Sequence, residues 1–322
     1  MRKKGQRNMR NTQPTRPDPM EKTLWSDTRF VCHFVTPPLP SNTSRLPFTI
    51  GGATQQGPDH IPDNLNNQDA LGILVEENFM MGVISDGCTD SASIPKRRTN
   101  NEVGAKLINY LVVQTTKKLL KNYPDLDGHR FVEELSREVT KALMAFVHLF
   151  SEEEESTKEL FIADFLMTTL LGMVVCQDRY IVFGRGDGVV GINGEINLLE
   201  KYAGSYLGED LVKSPELSLA GGQHSSIKLL AEGLTTDLNS LFLATDGFYG
   251  ILKDYQGLMD NFIKKYIQKK PGLDTDILRE FRLKVIWSDH VKQNISTHTW
   301  FKDDATFVLL RRIEPLSRET EE

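Results

Sequence analysis

The chain has 322 residues, of which 39% are hydrophobic and 25% charged, so it is long and apolar enough to bury a sizeable core. Its net charge of −6 argues against a general nucleic-acid binder, which usually carries a surplus of basic residues. No apolar run approaches the ~18 residues of a membrane span, and the N-terminus lacks the apolar stretch of a secretory signal. Three widely spaced cysteines without a CxxC pair fit a reducing compartment and argue against a zinc-cysteine site. We therefore expect a cytoplasmic protein with neither nucleic acid nor a membrane as its partner.

The first 45 residues predict a disordered tail. Residues 1–17 carry six basic side chains, no acidic one and almost nothing apolar, so this stretch cannot bury enough surface to order itself. A contact arm for an acidic partner or an organelle address is the alternative. A Pro-rich stretch follows and is interpreted as a linker. We expect one folded domain over residues 46–314 and a short tail over residues 315–322.

Three pairs of apolar runs, each separated by a gap of two residues, predict β-hairpins. The gaps are, in chain order, Glu77-Asn78, Gln177-Asp178 and Asn193-Gly194. Asn-Gly is the strongest short hairpin signal that a sequence offers. Further strands are predicted over 241–245 and 305–312. Because hairpin strands pair antiparallel, we expect antiparallel sheets.

Two long helices are predicted between the first and second hairpins. Thr99 and Glu102 have the spacing of a capping box, and apolar residues then recur at helical spacing up to Tyr123. A second apolar stripe of this kind covers residues 129–150, and a third helical region is predicted over 254–290. The acidic run over 152–155 is interpreted as a solvated loop. This order of elements predicts an α+β sandwich, with helices on one or both outer faces of the sheets.

Aspartates stand at the ends of several predicted strands. Asp86 and Asp246 each end an apolar run, with a small hydroxyl residue before them and a glycine after them. Asp187 also follows a strand, whereas Asp69 and Asp303 precede one. In an antiparallel sandwich such residues can meet at one end, where the carboxylates would repel one another unless divalent cations with oxygen ligands bind. Asp-Gly is also a common turn dipeptide, so a plain turn stays an alternative at each position.

These motifs, taken in order, resemble the metal-dependent PP2C-type (PPM) serine/threonine protein phosphatases. The resemblance covers about residues 48–313 and is carried by the segments NNQDA, VISDGCTDS, TTLLGMVV, FGRGDG, LATDGFYGIL and KDDATFVLLRR. The entry segment and the DGC variant are most similar to the bacterial-type branch. The resemblance implies a four-layer α-β-β-α sandwich of two antiparallel sheets flanked by helices. It also implies a site for two or three Mn²⁺ or Mg²⁺ ions.

The resemblance implies roles for residues by their position. Asp86 would bridge two ions, with the Gly87 carbonyl as a further ligand, and Asp187 would serve a third, looser ion. The catalytic aspartates would be Asp86, Asp246 and Asp303. The metal-binding set would be Asp69, Asp86, Gly87, Asp187, Asp246 and Asp303. Two bound ions would lower the pKa of a water molecule so that a hydroxide attacks phosphorus in line.

The sequence departs from the family pattern at two places. Gln68 stands where the family often has a glutamate, so the second ion would be held less tightly or through water. The family's phosphate-binding arginine is missing from the stretch before Gln68. His60 and Arg185 are the candidates to bind the substrate phosphate in its place. A hydrogen-bonded loop histidine and an ion-paired arginine are the alternative readings of these two residues.

The activity that the resemblance implies is the hydrolysis of phosphoserine and phosphothreonine in target proteins of Ser/Thr kinases. One alternative is a signalling scaffold of the same fold, which binds phosphorylated or partner proteins with little turnover. Another is a hydrolase of small phosphate esters. The segment between Tyr202 and Leu234 lies where the family has a variable flap, and it is expected to help choose substrates.

Overall fold

The structure is a computed structural model of the chain. It describes residues 30–31, 46–57, 60, 66–88, 99–151, 155–199, 206–213, 226–249 and 303–313. The helical region predicted over 254–290 and the predicted C-terminal tail lie outside the described residues, as does all of the predicted N-terminal tail except residues 30–31. Among the helices that are described, none combines the length and the apolar character needed to cross a membrane.

The described residues form strands and helices in mixed order. The strands are β1 (Phe30–Val31), β2 (Phe48–Gln55), β3 (Ala70–Val75), β4 (Met80–Ser85), β5 (Leu170–Val175), β6 (Arg179–Arg185), β7 (Val189–Ile192), β8 (Glu195–Leu198), β9 (Lys228–Leu234), β10 (Ser240–Ala244) and β11 (Ala305–Arg312). The helices are α1 (Asn101–Asn122), α2 (Gly128–Phe150), α3 (Glu155–Phe165) and α4 (Leu207–Lys213).

The strands form two antiparallel sheets. The first sheet has the order β1-β2-β11-β10-β7-β8, and the second has the order β3-β4-β5-β6-β9. All three predicted hairpins are confirmed, as β3–β4, β5–β6 and β7–β8. In the last of them Asn193 and Gly194 both have positive φ angles, of 53° and 92°, which is the backbone that a tight two-residue hairpin turn requires.

Two apolar cores lie between the layers of the sandwich. Between the helices and the second sheet, the first core includes Ile108 of α1, Phe131 of α2 and Phe183 of β6, and the two phenylalanine rings lie 5.9 Å apart. Between the two sheets, side chains such as Met173 and Leu310 form the second core. The alternation of β10 and β11 places Phe242 and Phe307 on the opposite face of the first sheet, where both are buried and contact the ring of Phe248 from the turn after β10.

The α+β sandwich predicted from the sequence is confirmed, with both sheets antiparallel and helices α1 and α2 packed on the outer face of the second sheet. The β4 and β5 strands are buried at every residue because they lie between a helical layer and a second sheet. This explains why they appear in the sequence as continuous apolar runs rather than as alternating ones.

The helix starts differ from the predicted ones. The capping box at Thr99 is wrong: the residue that precedes α1 is Asn100, and the Thr99 hydroxyl donates to the carbonyl of Cys88 at 2.6 Å instead. Helix α2 does have a side-chain cap, since Asp127 accepts a hydrogen bond from the main-chain N–H of Arg130 at 3.0 Å. Of the acidic run over 152–155 the structure describes only Glu155, which begins α3, a helix that was not predicted; the rest of the run lies outside the described residues.

Candidate metal centre

The strand pairing places aspartates from both sheets at one end of the sandwich. In the second sheet Ala70 pairs with Ser85, so Asp69 before β3 and Asp86 after β4 are neighbours across the hairpin. Antiparallel strands always bring the start of one strand beside the end of the next. The register therefore places two carboxylates at the same edge.

The first sheet repeats this arrangement with β10 and β11. Ala244, the last residue of β10, pairs with Phe307, so Asp246 after β10 lies near the start of β11, which Asp303 precedes by two positions. Asp246 begins a single 3₁₀ turn, Asp246–Phe248, that turns the chain away from the sheet. Both sheets thus contribute a strand-ending and a strand-preceding aspartate, and Asp187, which follows β6 of the second sheet, is the fifth.

The carboxylates of the two sheets interact directly. Asp86 and Asp246 share a side-chain hydrogen bond. Burial, and then the charges of Asp69, Asp246 and Asp303, raise the pKa of Asp86 well above its ordinary value. Burial, and then the charge of Asp187, raise the pKa of Asp246 to about 6. The structure therefore brings together all five aspartates that the sequence singled out, as one strongly coupled cluster.

Asp69 is the most deeply held member of the cluster. Thr245 Oγ1 donates to its Oδ2 at 2.9 Å, and the residue is 2% exposed. Burial, and then the charge of Asp304, raise the pKa of Asp69 well above its usual range. The other oxygen, Oδ1, is buried and has no hydrogen-bond donor among the described residues, and the same is true of Asp246 Oδ1. Buried carboxylate oxygens without donors fit an oxygen-ligated divalent cation.

Gly87 presents its backbone to the same place. Its N–H donates to the Gln68 carbonyl at 3.2 Å, on the side away from Thr168, with which it forms an isolated antiparallel bridge. In extended backbone the N–H and C=O of one residue point to the same side, so the Gly87 carbonyl faces the Gln68–Asp69 segment. A Cβ atom at position 87 would lie 2.7 Å from the Asn101 main-chain carbon, so the approach of α1 requires a glycine.

The two predicted phosphate-binding residues both lie against carboxylates. His60 Nδ1 lies 3.0 Å from Asp304 Oδ1, and His60 Nε2 lies 3.3 Å from Asp303 Oδ1. The neighbouring Asp304 carboxylate is the main reason why the pKa of His60 is raised. Arg185 Nη2 donates to Asp210 of α4 at 2.6 Å. The ion-paired and hydrogen-bonded alternatives therefore describe the observed contacts, and phosphate binding by either residue stays a prediction.

Sequence reasoning missed Asp304 and Tyr206. Asp304 accepts the main-chain N–H of Gly57 at 2.6 Å and of Gln68 at 2.5 Å, so it ties the segment before β3 to β11. Only the Asp-Asp doublet in the sequence hinted at this second acid. Tyr206 borders the cluster: burial, then Cys88, Asp187 and Asp86, raise the pKa of its hydroxyl. Tyr206 belongs to the predicted flap segment, of which residues 202–205 and 214–225 lie outside the described part of the chain.

Known structures share this fold. A bacterial serine phosphatase carrying an arginine-to-alanine substitution has a TM-score of 0.51 and 15% identity, with 84% of this chain and 99% of that chain covered. The phosphatase Stp1 from Staphylococcus aureus has a TM-score of 0.48 and 15% identity, with 84% and 97% covered. The catalytic domain of the phosphatase PstP, solved with two manganese ions, has a TM-score of 0.48 and 15% identity, with 83% and 99% covered.

Family comparison gives the classification. A search among curated protein sequences found no match. The family model of protein phosphatase 2C, in contrast, matches residues 56–272, which include four of the five clustered aspartates. The chain therefore belongs to the protein phosphatase 2C family.

Proposed function

We propose that the chain is a metal-dependent protein phosphatase that hydrolyses phosphoserine and phosphothreonine. One observation carries this proposal: aspartates from both sheets form a single cluster in which the pKa values of Asp69, Asp86 and Asp246 are all raised. Like charges held together in this way destabilise the fold at neutral pH unless a cation neutralises them. Membership of the protein phosphatase 2C family supplies the class of reaction.

The residues fit Mn²⁺ or Mg²⁺. Asp86, Asp246, Asp303 and the Gly87 carbonyl would hold two ions, and Asp187 would serve a third. When bound, such ions supply a water that loses its proton near neutral pH and positive charge that offsets the phosphoryl oxygens. Thr245 donates to one oxygen of Asp69, and the other is buried without a hydrogen-bond donor among the described residues, so Asp69 can hold an ion or its water.

The remaining residues of the chain set the shape and polarity of the site. The raised pKa of the Tyr206 hydroxyl keeps that group protonated, so it acts as a hydrogen-bond donor or acceptor beside Asp86 and Asp187. Arg185 of β6 and Lys228 of β9 lie near Asp210, and the neighbouring Arg185 charge, after burial, lowers the pKa of Lys228. We propose phosphoproteins made by Ser/Thr kinases as the substrates, with these basic groups near the path by which such a chain approaches.

The test is phosphatase activity on p-nitrophenyl phosphate and on a phosphothreonine peptide, with Mn²⁺, with Mg²⁺ and with neither. We expect turnover that depends on the metal. The Asp246→Asn substitution should reduce it at least about a thousandfold, because the aspartate cluster then loses one charged metal ligand. The matched control is Asp237→Asn, which alters an exposed aspartate before the opposite end of β10.

Two outcomes would favour the other readings. Binding of the phosphopeptide without turnover, over several divalent metals, would support a scaffold. A kcat/KM that is higher on small phosphate esters than on phosphopeptides would support a metabolite hydrolase.

A further inference from the structure

A row of three polar side chains, Asp304, His60 and Asp303, lies at the edge of the carboxylate cluster. His60 is the middle member, with one ring nitrogen directed to each aspartate, at 3.0 Å and 3.3 Å. The side chains of His60 and Asp304 are 9% and 2% exposed, whereas that of Asp303 is 57% exposed. The row therefore leads from a buried anchor to the accessible part of the proposed metal centre.

The buried end of this row is rigidly held. Asp304 accepts main-chain N–H groups from Gly57 and Gln68 in addition to facing His60. The main-chain N–H of His60 itself donates to the Gly57 carbonyl at 3.1 Å. A Cβ atom at position 57 would overlap the main chain of Asp303, so this close approach is possible only for glycine. The orientation of the imidazole ring is thus set by contacts outside the metal centre.

This arrangement leaves Nε2 of His60 as the functional atom. Nδ1 lies 3.0 Å from Asp304 Oδ1, a carboxylate oxygen that favours a hydrogen on this nitrogen, and in the neutral ring Nε2 then carries a lone pair. Nε2 lies 3.3 Å from Asp303 Oδ1, and two species can join these atoms: a proton on the ring, or a cation that displaces the proton and binds both atoms. Metal-binding histidines have this pattern, because the ring nitrogen that does not bind the metal donates to a carboxylate that fixes the ring.

The distance between the two facing atoms also suits a shared ion. Two ligand atoms, each about 2.1 Å from a metal and at right angles to each other, are about 3 Å apart. His60 Nε2 and Asp303 Oδ1 are 3.3 Å apart, and the ligand atoms of His60, Asp303 and Asp304 all lie within 4.8 Å of one another. A metal site also needs buried oxygen atoms that no hydrogen-bond donor occupies. Asp69 Oδ1 and Asp246 Oδ1 are buried and have no such donor among the described residues.

We propose that His60 Nε2 is a nitrogen ligand of the metal centre, beside Asp303. This inference rests on the proposed function, since it concerns the same ions. It also replaces a phosphate-binding role for His60, because a phosphate at Nε2 would lie against the negatively charged Asp303. A hard ion such as Mg²⁺ prefers oxygen ligands, whereas imidazole suits first-row transition metals. The proposed ligand set therefore selects Mn²⁺ over Mg²⁺.

Pulsed electron paramagnetic resonance on protein loaded with one Mn²⁺ per chain tests this proposal. A directly bound imidazole nitrogen gives an electron spin echo modulation from ¹⁴N, which changes in protein labelled with ¹⁵N-histidine. We expect this signal in the unchanged protein and in the control His148→Ala, which alters an exposed histidine in the last turn of α2. We expect it to be absent in His60→Ala, together with a loss of at least about tenfold in Mn²⁺ affinity and a smaller loss for Mg²⁺.

Several results would contradict the proposal that His60 binds the metal. Tight Mn²⁺ binding without nitrogen modulation, modulation that persists in His60→Ala, or equal losses of Mn²⁺ and Mg²⁺ affinity would overturn the role of His60 and leave the proposed function standing. Failure of the unchanged protein to bind Mn²⁺ would overturn both. Should His60→Ala fail to fold, His60→Gln is measured instead, because its amide can keep one polar contact with Asp304.

Discussion

The carboxylate cluster predicts that Asp246→Asn stabilises the metal-free protein while it abolishes activity. Asparagine has nearly the shape of aspartate but no charge, so the substitution removes one member of a set of like charges. The pKa of Asp246 is about 6 against an ordinary value of 3.8, chiefly because of burial and the charge of Asp187. At about 1.4 kcal/mol per pKa unit, keeping this group ionised costs the folded state up to about 3 kcal/mol.

The observable gain is smaller than this limit. Asp86 and Asp246 share a hydrogen bond, so the protonation of one depends on that of the other. After the substitution, Asp86 is still buried beside other carboxylates, so part of the electrostatic cost to the folded state remains. We therefore expect the metal-free variant to gain about 1–2 kcal/mol in free energy of unfolding at pH 8.

The pH dependence of this gain has a definite sign. A raised folded-state pKa means that the folded protein binds the proton more tightly than the unfolded chain. The penalty is therefore complete above about pH 6 and disappears as the pH falls through 3.8. The advantage of Asp246→Asn should accordingly shrink between pH 8 and pH 4.

Urea denaturation with a chelator, at pH 8 and at pH 5, measures both effects, with Asp237→Asn as the control. In saturating Mn²⁺ the order of stability should reverse, because the unchanged protein has one more charged ligand for the ion. A metal-free Asp246→Asn protein that is less stable than the unchanged protein at pH 8 would refute the reasoning, since it would show that the aspartates do not repel one another.

Two further predictions follow from single contacts. Arg185→Ala should raise KM for a phosphomonoester with little change in kcat if the guanidinium binds phosphate as well as Asp210; an unchanged KM with normal Mn²⁺ binding would confine Arg185 to its ion pair with α4. Gly104→Ala should lower the free energy of unfolding by about 1–3 kcal/mol, because a Cβ atom there would overlap the carbonyl oxygen of Phe165. A stabilised Gly104→Ala protein, as helix propensity alone would give, would show that α1 and α3 do not approach so closely.

The hairpins and the aspartates could be predicted because their signals are local. A two-residue gap between apolar runs sets an antiparallel register, and that register decides which strand ends become neighbours. The sequence predicted that strand-ending and strand-preceding aspartates meet at one end of an antiparallel sandwich, and the register of β3 and β4 makes Asp69 and Asp86 such neighbours. In the first sheet β10 and β11 also pair antiparallel, although a long segment of the chain separates them.

The contacts that were not predicted depend on residues distant in the chain. Asp304 accepts the N–H of Gly57, 247 positions away, and no local pattern marks that pair. The sequence predicted that the Thr99 hydroxyl accepts the main-chain N–H of Glu102, but the fold brings the Cys88 carbonyl near, and the hydroxyl donates to it instead. Arg185 found a partner on α4, a helix too short to be seen in the sequence. Tertiary packing, rather than propensity, decides each of these cases.

The most direct test of the metal-dependent reading is a crystal structure of the protein soaked in Mn²⁺, with anomalous diffraction used to locate the ions. We expect two strong peaks, both within coordination distance of Asp86, with Asp246 and Asp303 on one of them. Full occupancy of Mn²⁺ elsewhere on the protein, with Asp86, Asp246 and Asp303 left without an ion, would contradict the account.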